Sequence, residues 1–177
     1  MKTFTLAPGE TLHADDALGE LFGESGTYGA LRIESDASPG VAVFERILTA
    51  AASGDGTVGQ QVDSLSAESL LGSGALLGIR NDSAFRTNVG LFNPTATGAP
   101  LTLTLLRSPD AVLGTKALFL PPWGYTQANL NALFPTASIQ QGESLSISVD
   151  GGAQSVYAFA SVIDNVSKDP TFYPELP

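Results

Sequence analysis

The sequence predicts an all-β protein, an antiparallel β-sandwich built on a duplicated unit whose first copy is incomplete, with short helical turns. Three observations predict it. Apolar and polar residues alternate with a period of two, turn residues punctuate the chain at short intervals, and the chain matches itself at a shift near 114 residues.

The self-match sets the domain organisation. Lys2, Leu6 and Pro8 fall on Lys116, Leu120 and Pro122, and Leu21-Phe22 falls on Leu133-Phe134. Leu31, Ile33 and Asp36 fall on Leu145, Ile147 and Asp150; Val41 and Phe44 fall on Val156 and Phe159; Thr57 meets Thr171. Single-residue gaps in turns keep the series colinear. Residues 1–74 therefore read as a partial first repeat and 75–177 as a complete second one. The stretch Ile79–Thr115 has no counterpart before Lys2, so the first copy begins in mid-unit.

In chain order, Asp15-Asp16-Ala17-Leu18-Gly19-Glu20-Leu21-Phe22-Gly23 spaces its apolar residues at three and four, with acids first and glycine last, which predicts a short capped helix. Val41–Leu48 is the counterpart of Val156–Ile163, a run apolar on both faces that belongs in the middle of a sheet. A further turn is expected at Ser64–Leu71, followed by a Gly72-Ser73-Gly74 link. Leu101-Thr102-Leu103-Thr104-Leu105 and Leu145-Ser146-Ile147-Ser148-Val149 alternate strictly and read as half-buried strands. Asn129–Phe134 repeats the helical spacing and is stopped by Pro135. Asn93-Pro94, Pro121-Pro122-Trp123-Gly124, Asp150-Gly151-Gly152 and Asp169-Pro170 mark strand ends.

Composition excludes several classes of function. The chain has 177 residues and a formal net charge of −10, with its basic residues scattered singly. It lacks the clustered cations that phosphate backbones or anionic membranes require. No apolar run approaches the roughly 18 residues of a membrane span. Without cysteine there is no disulfide framework, no thiolate nucleophile and no cysteine zinc site. Met1–Gly9 lacks the apolar stretch of a signal peptide, so export would need a signal upstream.

The run Phe85-Arg86-Thr87-Asn88-Val89-Gly90-Leu91-Phe92-Asn93-Pro94, the Leu120–Gly124 turn and the ending Tyr157–Thr171 resemble tandem β-sandwich repeats of large secreted bacterial proteins, sometimes appended to secreted proteases. The first copy, through Gly56-Thr57-Val58-Gly59-Gln60, resembles them more weakly. The resemblance implies an extracellular or cell-surface accessory module with an immunoglobulin-like fold, and it brings no catalytic residue and no established ligand.

The candidate sites follow from residue type. A serine triad needs a base, and His13, the only histidine, has no equivalent in the second copy. The carboxylate pairs Asp15-Asp16, Glu20-Glu24 and Asp164 with Asp169 could do acid and base work, but their places at a helix start and in turns favour structural use. Calcium is the most credible metal, with Asp164, Asn165 and Asp169 in one loop as hard oxygen donors, against the alternative that they satisfy turn backbone. Trp123 and Tyr125 could stack a sugar ring, against the alternative that they cover the end of a core. Arg86 with Asn88 could pin a neighbouring loop's carbonyls.

The expectation is a non-catalytic extracellular structural or adhesive module, extending to a subunit of a surface filament or repeat array. Its partner would be protein, including self-association through the unpaired strand edges of the first repeat. The alternative is a carbohydrate-binding accessory module, and the last-ranked alternative a carboxylate-based hydrolase.

Overall fold

In the computed structural model, residues 1–36, 40–51, 54–64, 66, 70, 72–107 and 111–177 are described. The chain is all-β: the described residues form ten strands, every pairing antiparallel, and two short helices. It divides into two compact units, Met1–Leu31 and Arg32–Pro177. The expected turn at Ser64–Leu71 falls largely outside the described residues.

The smaller unit holds one helix, α1 (Ala17–Phe22). The Asp16 carboxylate accepts from the Gly19 N–H at 3.0 Å as the N-cap, while Glu20 reaches back to the Asp16 N–H at 3.1 Å. Gly23 closes the helix in the left-handed region at φ 73°. None of the helical side chains is buried.

The larger unit begins with a separate hairpin, β1 (Phe44–Ala50) and β2 (Thr57–Asp63), paired from Phe44↔Asp63 to Ala50↔Thr57. The apolar run around Val41–Leu48, expected in the middle of a sheet, instead lies in a two-stranded ribbon whose first strand is exposed at all seven positions.

The remaining strands are β3 (Ser73–Ile79), β4 (Phe85–Phe92), β5 (Ala99–Leu106), β6 (Val112–Leu120), β7 (Tyr125–Asn129), β8 (Leu145–Asp150), β9 (Tyr157–Asp164) and β10 (Pro170–Pro174), with α2 (Leu130–Leu133) after β7. Ser73 and Gly74 thus belong to a strand rather than to a link. The strands form two four-stranded sheets, β10-β9-β4-β7 and β3-β8-β5-β6, which share one hydrophobic core.

Period-two alternation explains that core. Leu101, Leu103 and Leu105 of β5, and Leu145, Ile147 and Val149 of β8, all point inward and are buried, while the intervening threonines and serines are half exposed. From the other sheet Val89, Leu91, Ala158 and Ala160 meet them, and Leu130, Leu133 and Phe134 of the α2 region join the same core. β9 is flanked by β4 and β10 and is buried on both faces, which is why its sequence shows no alternation. β3 is bent where its register against β8 shifts between Leu76 and Ile79; Gly78 takes φ 73° there, which a side chain would resist.

Candidate functional site

Two clusters of polar side chains lie at the two ends of β4. At its C-terminal end lies Asn93, fully buried. Its amide donates to the carbonyls of Thr97 at 2.7 Å and Pro121 at 2.9 Å, its carbonyl oxygen accepts from the Thr95 N–H and hydroxyl, and its own N–H donates to Gly124. One side chain therefore ties the β4–β5 turn to the Pro121–Gly124 turn.

At the opposite end, Arg86 donates to the Asn165 side-chain oxygen at 2.8 Å, and Asn165 donates onward to the Ser83 carbonyl at 3.2 Å. The arginine thus pins the loop through Asn165. Asp82, whose side chain is almost completely covered, accepts from the N–H groups of Ala84, Phe85 and Gly142 at 2.8–2.9 Å. The Gly142 bond first, with those from Ala84 and Phe85 and the charge of Arg80, holds its carboxyl below the ordinary range against the opposing effect of burial.

The three candidate calcium ligands lie at the β9–β10 connection, where Asp164 and Asp169 are engaged with that connection's own polypeptide and Asn165 with Arg86 and the Ser83 carbonyl. One Asp164 oxygen accepts from the Val166 and Ser167 N–H groups at 2.7 and 2.8 Å, bonds that lower its pKa. Asn165 is held as above, and Asp169 bonds through its backbone, accepting from the Asp164 N–H and donating to the Ser167 hydroxyl. Lys168 turns the chain at φ 66°. Among the described residues no group of three His, Asp or Glu side chains is placed to hold a metal ion.

Trp123 stands in the Pro121–Gly124 turn at φ 59°, a backbone region costing a bulky residue on the order of 1–2 kcal/mol. It is held there by its backbone N–H donating to Thr95 and by the Gly124 N–H donating to Pro121, with the residue 44% exposed and the Arg32 guanidinium 4.3 Å from the ring centroid. Tyr125 begins β7, and its hydroxyl donates to Gln127 at 2.8 Å.

The register gives Tyr125 neighbours that sequence spacing alone did not suggest. Phe92 pairs with Tyr125 on one side and Tyr157 on the other, so three aromatic residues lie side by side across β7, β4 and β9, on the face of the sheet away from the core. In the next row Phe159 lies over Gly90, where an added Cβ would come within 2.2 Å of its ring, and stacks on Phe172 at 5.3 Å. The alternation of Arg86, Asn88, Gly90 and Phe92 was the available signal for this face. On β9 the small inward residues Ala158 and Ala160 masked it.

The hairpin covers part of this face. Gln60 of β2 accepts a buried hydrogen bond from the Ser161 hydroxyl at 2.9 Å, and a groove of about 400 Å³ runs between Gly59, Gln60, Gln61 and Asp63 on one side and Thr171 and Phe172 on the other. Nearby, Glu175 accepts from the Ala158 N–H through one oxygen while the other is buried with no hydrogen-bond partner. Burial first, opposed by that one bond, raises its pKa from 4.5 to about 7. The Tyr157 hydroxyl is likewise buried without a partner, and burial together with the charges of Asp63, Glu175 and Glu45 pushes its phenol upward.

His13 lies in an exposed stretch beside Asp15 at 3.7 Å. What the described residues of the larger unit offer chemically is aromatic surface flanked by amides. Scans of family models, curated proteins and solved structures give no match.

Proposed function

We propose that the chain is a non-catalytic structural or adhesive module of an extracellular, cell-surface bacterial protein, working as part of a repeat array or surface filament. The observation that carries this reading is the β1–β2 hairpin: its outer edges are unpaired among the described residues, and Phe44, Ile47 and Leu48 are exposed on it. Such an edge is a template for pairing with another chain. The polar residues of the motifs support the same reading, since Asn93, Asp82, Arg86 and Asn165 are spent on holding loops.

The finer fold reading is an immunoglobulin-like sandwich with a duplicated unit. The β4·β7 and β5·β8 pairs stand where B·E and C·F stand in that fold, while β3 and β9 occupy the sheets opposite to A and G. α1 and α2, and the hairpins β1–β2 and β9–β10, fall at corresponding places in the two copies, which supports the duplication.

Sedimentation and light scattering across a wide concentration range test the self-associating form. Growth with concentration supports a filament subunit; a strictly monomeric chain removes that form and leaves the repeat array.

A second reading, carbohydrate binding, is favoured by the Tyr125–Phe92–Tyr157 row and by Trp123 held exposed in a costly conformation. Glycan-array signal lost in Trp123→Ala or Tyr125→Ala would support it; signal unchanged in both would remove it.

A further inference from the structure

We propose that Glu175 is the catch of a pH-sensitive latch: with its carboxyl protonated, residues 174–176 tie the two four-stranded sheets together along one side, and with the carboxyl ionised they let go of β3. The device stands apart from the repeat-array reading and holds whatever the module binds.

The chain crosses between the sheets at this point. The Glu175 N–H donates to the Ala158 carbonyl at 3.1 Å, which carries the β9·β10 ladder one residue further. The next residue, Leu176, exchanges both backbone hydrogen bonds with Ala75 of β3, at 2.8 and 2.9 Å. β3 is an edge strand paired with β8, and among the described residues the Leu176 bridge is what covers its outer side. Two consecutive residues therefore hold one sheet each.

The side chain between them sits where a charge is poorly accommodated. Partners across a ladder project to the same face; Ala158 is fully buried in the core, so Glu175 projects inward too, as does Tyr173 two residues earlier. Its carboxyl lies over Gly74 of β3, where an added Cβ would come within 2.6 Å of the Glu175 Cγ and Oε1 and of the Leu176 carbonyl oxygen. Oε2 accepts from the Ala158 N–H at 3.1 Å, while Oε1 is buried with no hydrogen-bond partner.

The surroundings offer no compensating cation. The ionisable groups on the elements around this end of β10 are Tyr157 of β9, Asp63 of β2, Glu45 of β1, Tyr173 of β10 itself and Asp150 of β8, opposite Ser73; β3 carries none. Among the described residues no salt bridge reaches Glu175. Once ionised, it adds its charge to those of Asp63 and Glu45 around the Tyr157 phenol. A carboxylate with one oxygen buried and unbonded is much less favourable there than the neutral acid.

Opening at Leu176 frees the carboxyl for water at the loss of the two bonds to Ala75, and leaves the Ala75 N–H and C=O unpaired on the edge of β3. The outer edge of β10 stays blunt. Bonds at Asp169 and Glu175 fix the phase of its ladder, so Pro170 and Pro174 are among the residues turned outward, with no N–H to offer. Burial, opposed by the Ala158 bond, raises the Glu175 pKa from 4.5 to about 7. The closed latch thus holds more protons than the open one between those values, and opening is promoted as pH rises through them.

Amide-exchange protection factors, corrected for the intrinsic pH dependence of exchange, test this in the full chain. The Ala75 and Leu176 amides should lose protection on the order of fiftyfold between pH 5 and pH 8, while Leu91 and Leu103, one in each sheet, keep theirs. Glu175→Gln keeps an acceptor for the Ala158 N–H but cannot ionise, and should hold the pH 5 level throughout. Gly74→Ala presses on the same carboxyl and should show the low level already at pH 5. Protection at Ala75 and Leu176 that is unchanged across this range would overturn the proposal, as would an equal loss in Glu175→Gln or a loss at Leu91 and Leu103 in step with it.

Discussion

A single buried amide, that of Asn93, ties two turns of this fold together. Asn93 makes side-chain bonds to two turns, and Asn93→Ala would strand the Thr95 N–H and take one of two donors from each of the Thr97 and Pro121 carbonyls. At about 1–3 kcal/mol for a buried group left unsatisfied, the loss should reach about 3 kcal/mol in urea unfolding, with Asn93→Asp costly as well because it replaces a donor by an acceptor. Glu175 is the residue that should set the neutral-pH behaviour. Its folded pKa, about 7, lies above its ordinary value of 4.5, so the native state holds more protons than the unfolded chain between those values. Stability contributed by Glu175 is full below about pH 4.5 and is lost as pH rises through about 7. The melting temperature should therefore fall from pH 5 to pH 8, and Glu175→Gln should flatten that slope. Asp82 works in the opposite direction: its lowered pKa makes its contribution present above the ordinary value of 3.8 and lost as pH falls further. None of the sequence signals around Glu175 foretold this, because its burial depends on how β10 ends against β9 and not on local pattern.

The strands show what pattern can and cannot reveal. Alternation made β5 and β8 legible to the residue, since a half-buried strand writes its two faces directly into period two. Leu103→Ala, at a fully buried position, should cost about 2–5 kcal/mol, whereas Thr104→Ala beside it should lie within about 0.5 kcal/mol; paired denaturation curves check both. The aromatic row was not legible, because Tyr125, Phe92 and Tyr157 come together only through cross-strand register. Gly90→Val tests that face: the added methyls collide with the Phe159 ring, so the variant should be destabilised and the Phe159–Phe172 stack displaced, visible in near-ultraviolet dichroism. β1 shows the other limit. Its apolar character marks it for burial, but a sequence does not say whether the covering strands lie within it.

At the scale of the whole molecule, the two sheets are held together by pairings distant along the chain. β4 pairs with β9, and β8 enters between β3 and β5. As the polypeptide emerges from the ribosome, β5 and β6 can close as a hairpin, but β3 waits for β8 and β4 waits for both β7 and β9. Assembly is thereby postponed until nearly the last strand has been made. Topologies of this kind fold in milliseconds to seconds rather than microseconds, and stopped-flow refolding should show a slow main phase that truncation after Asp150 eliminates together with the native state. The central position of β9 thus makes folding a test of completeness: a chain released before Tyr157 has no inner strand for one of its sheets, and quality control would see it as unfinished.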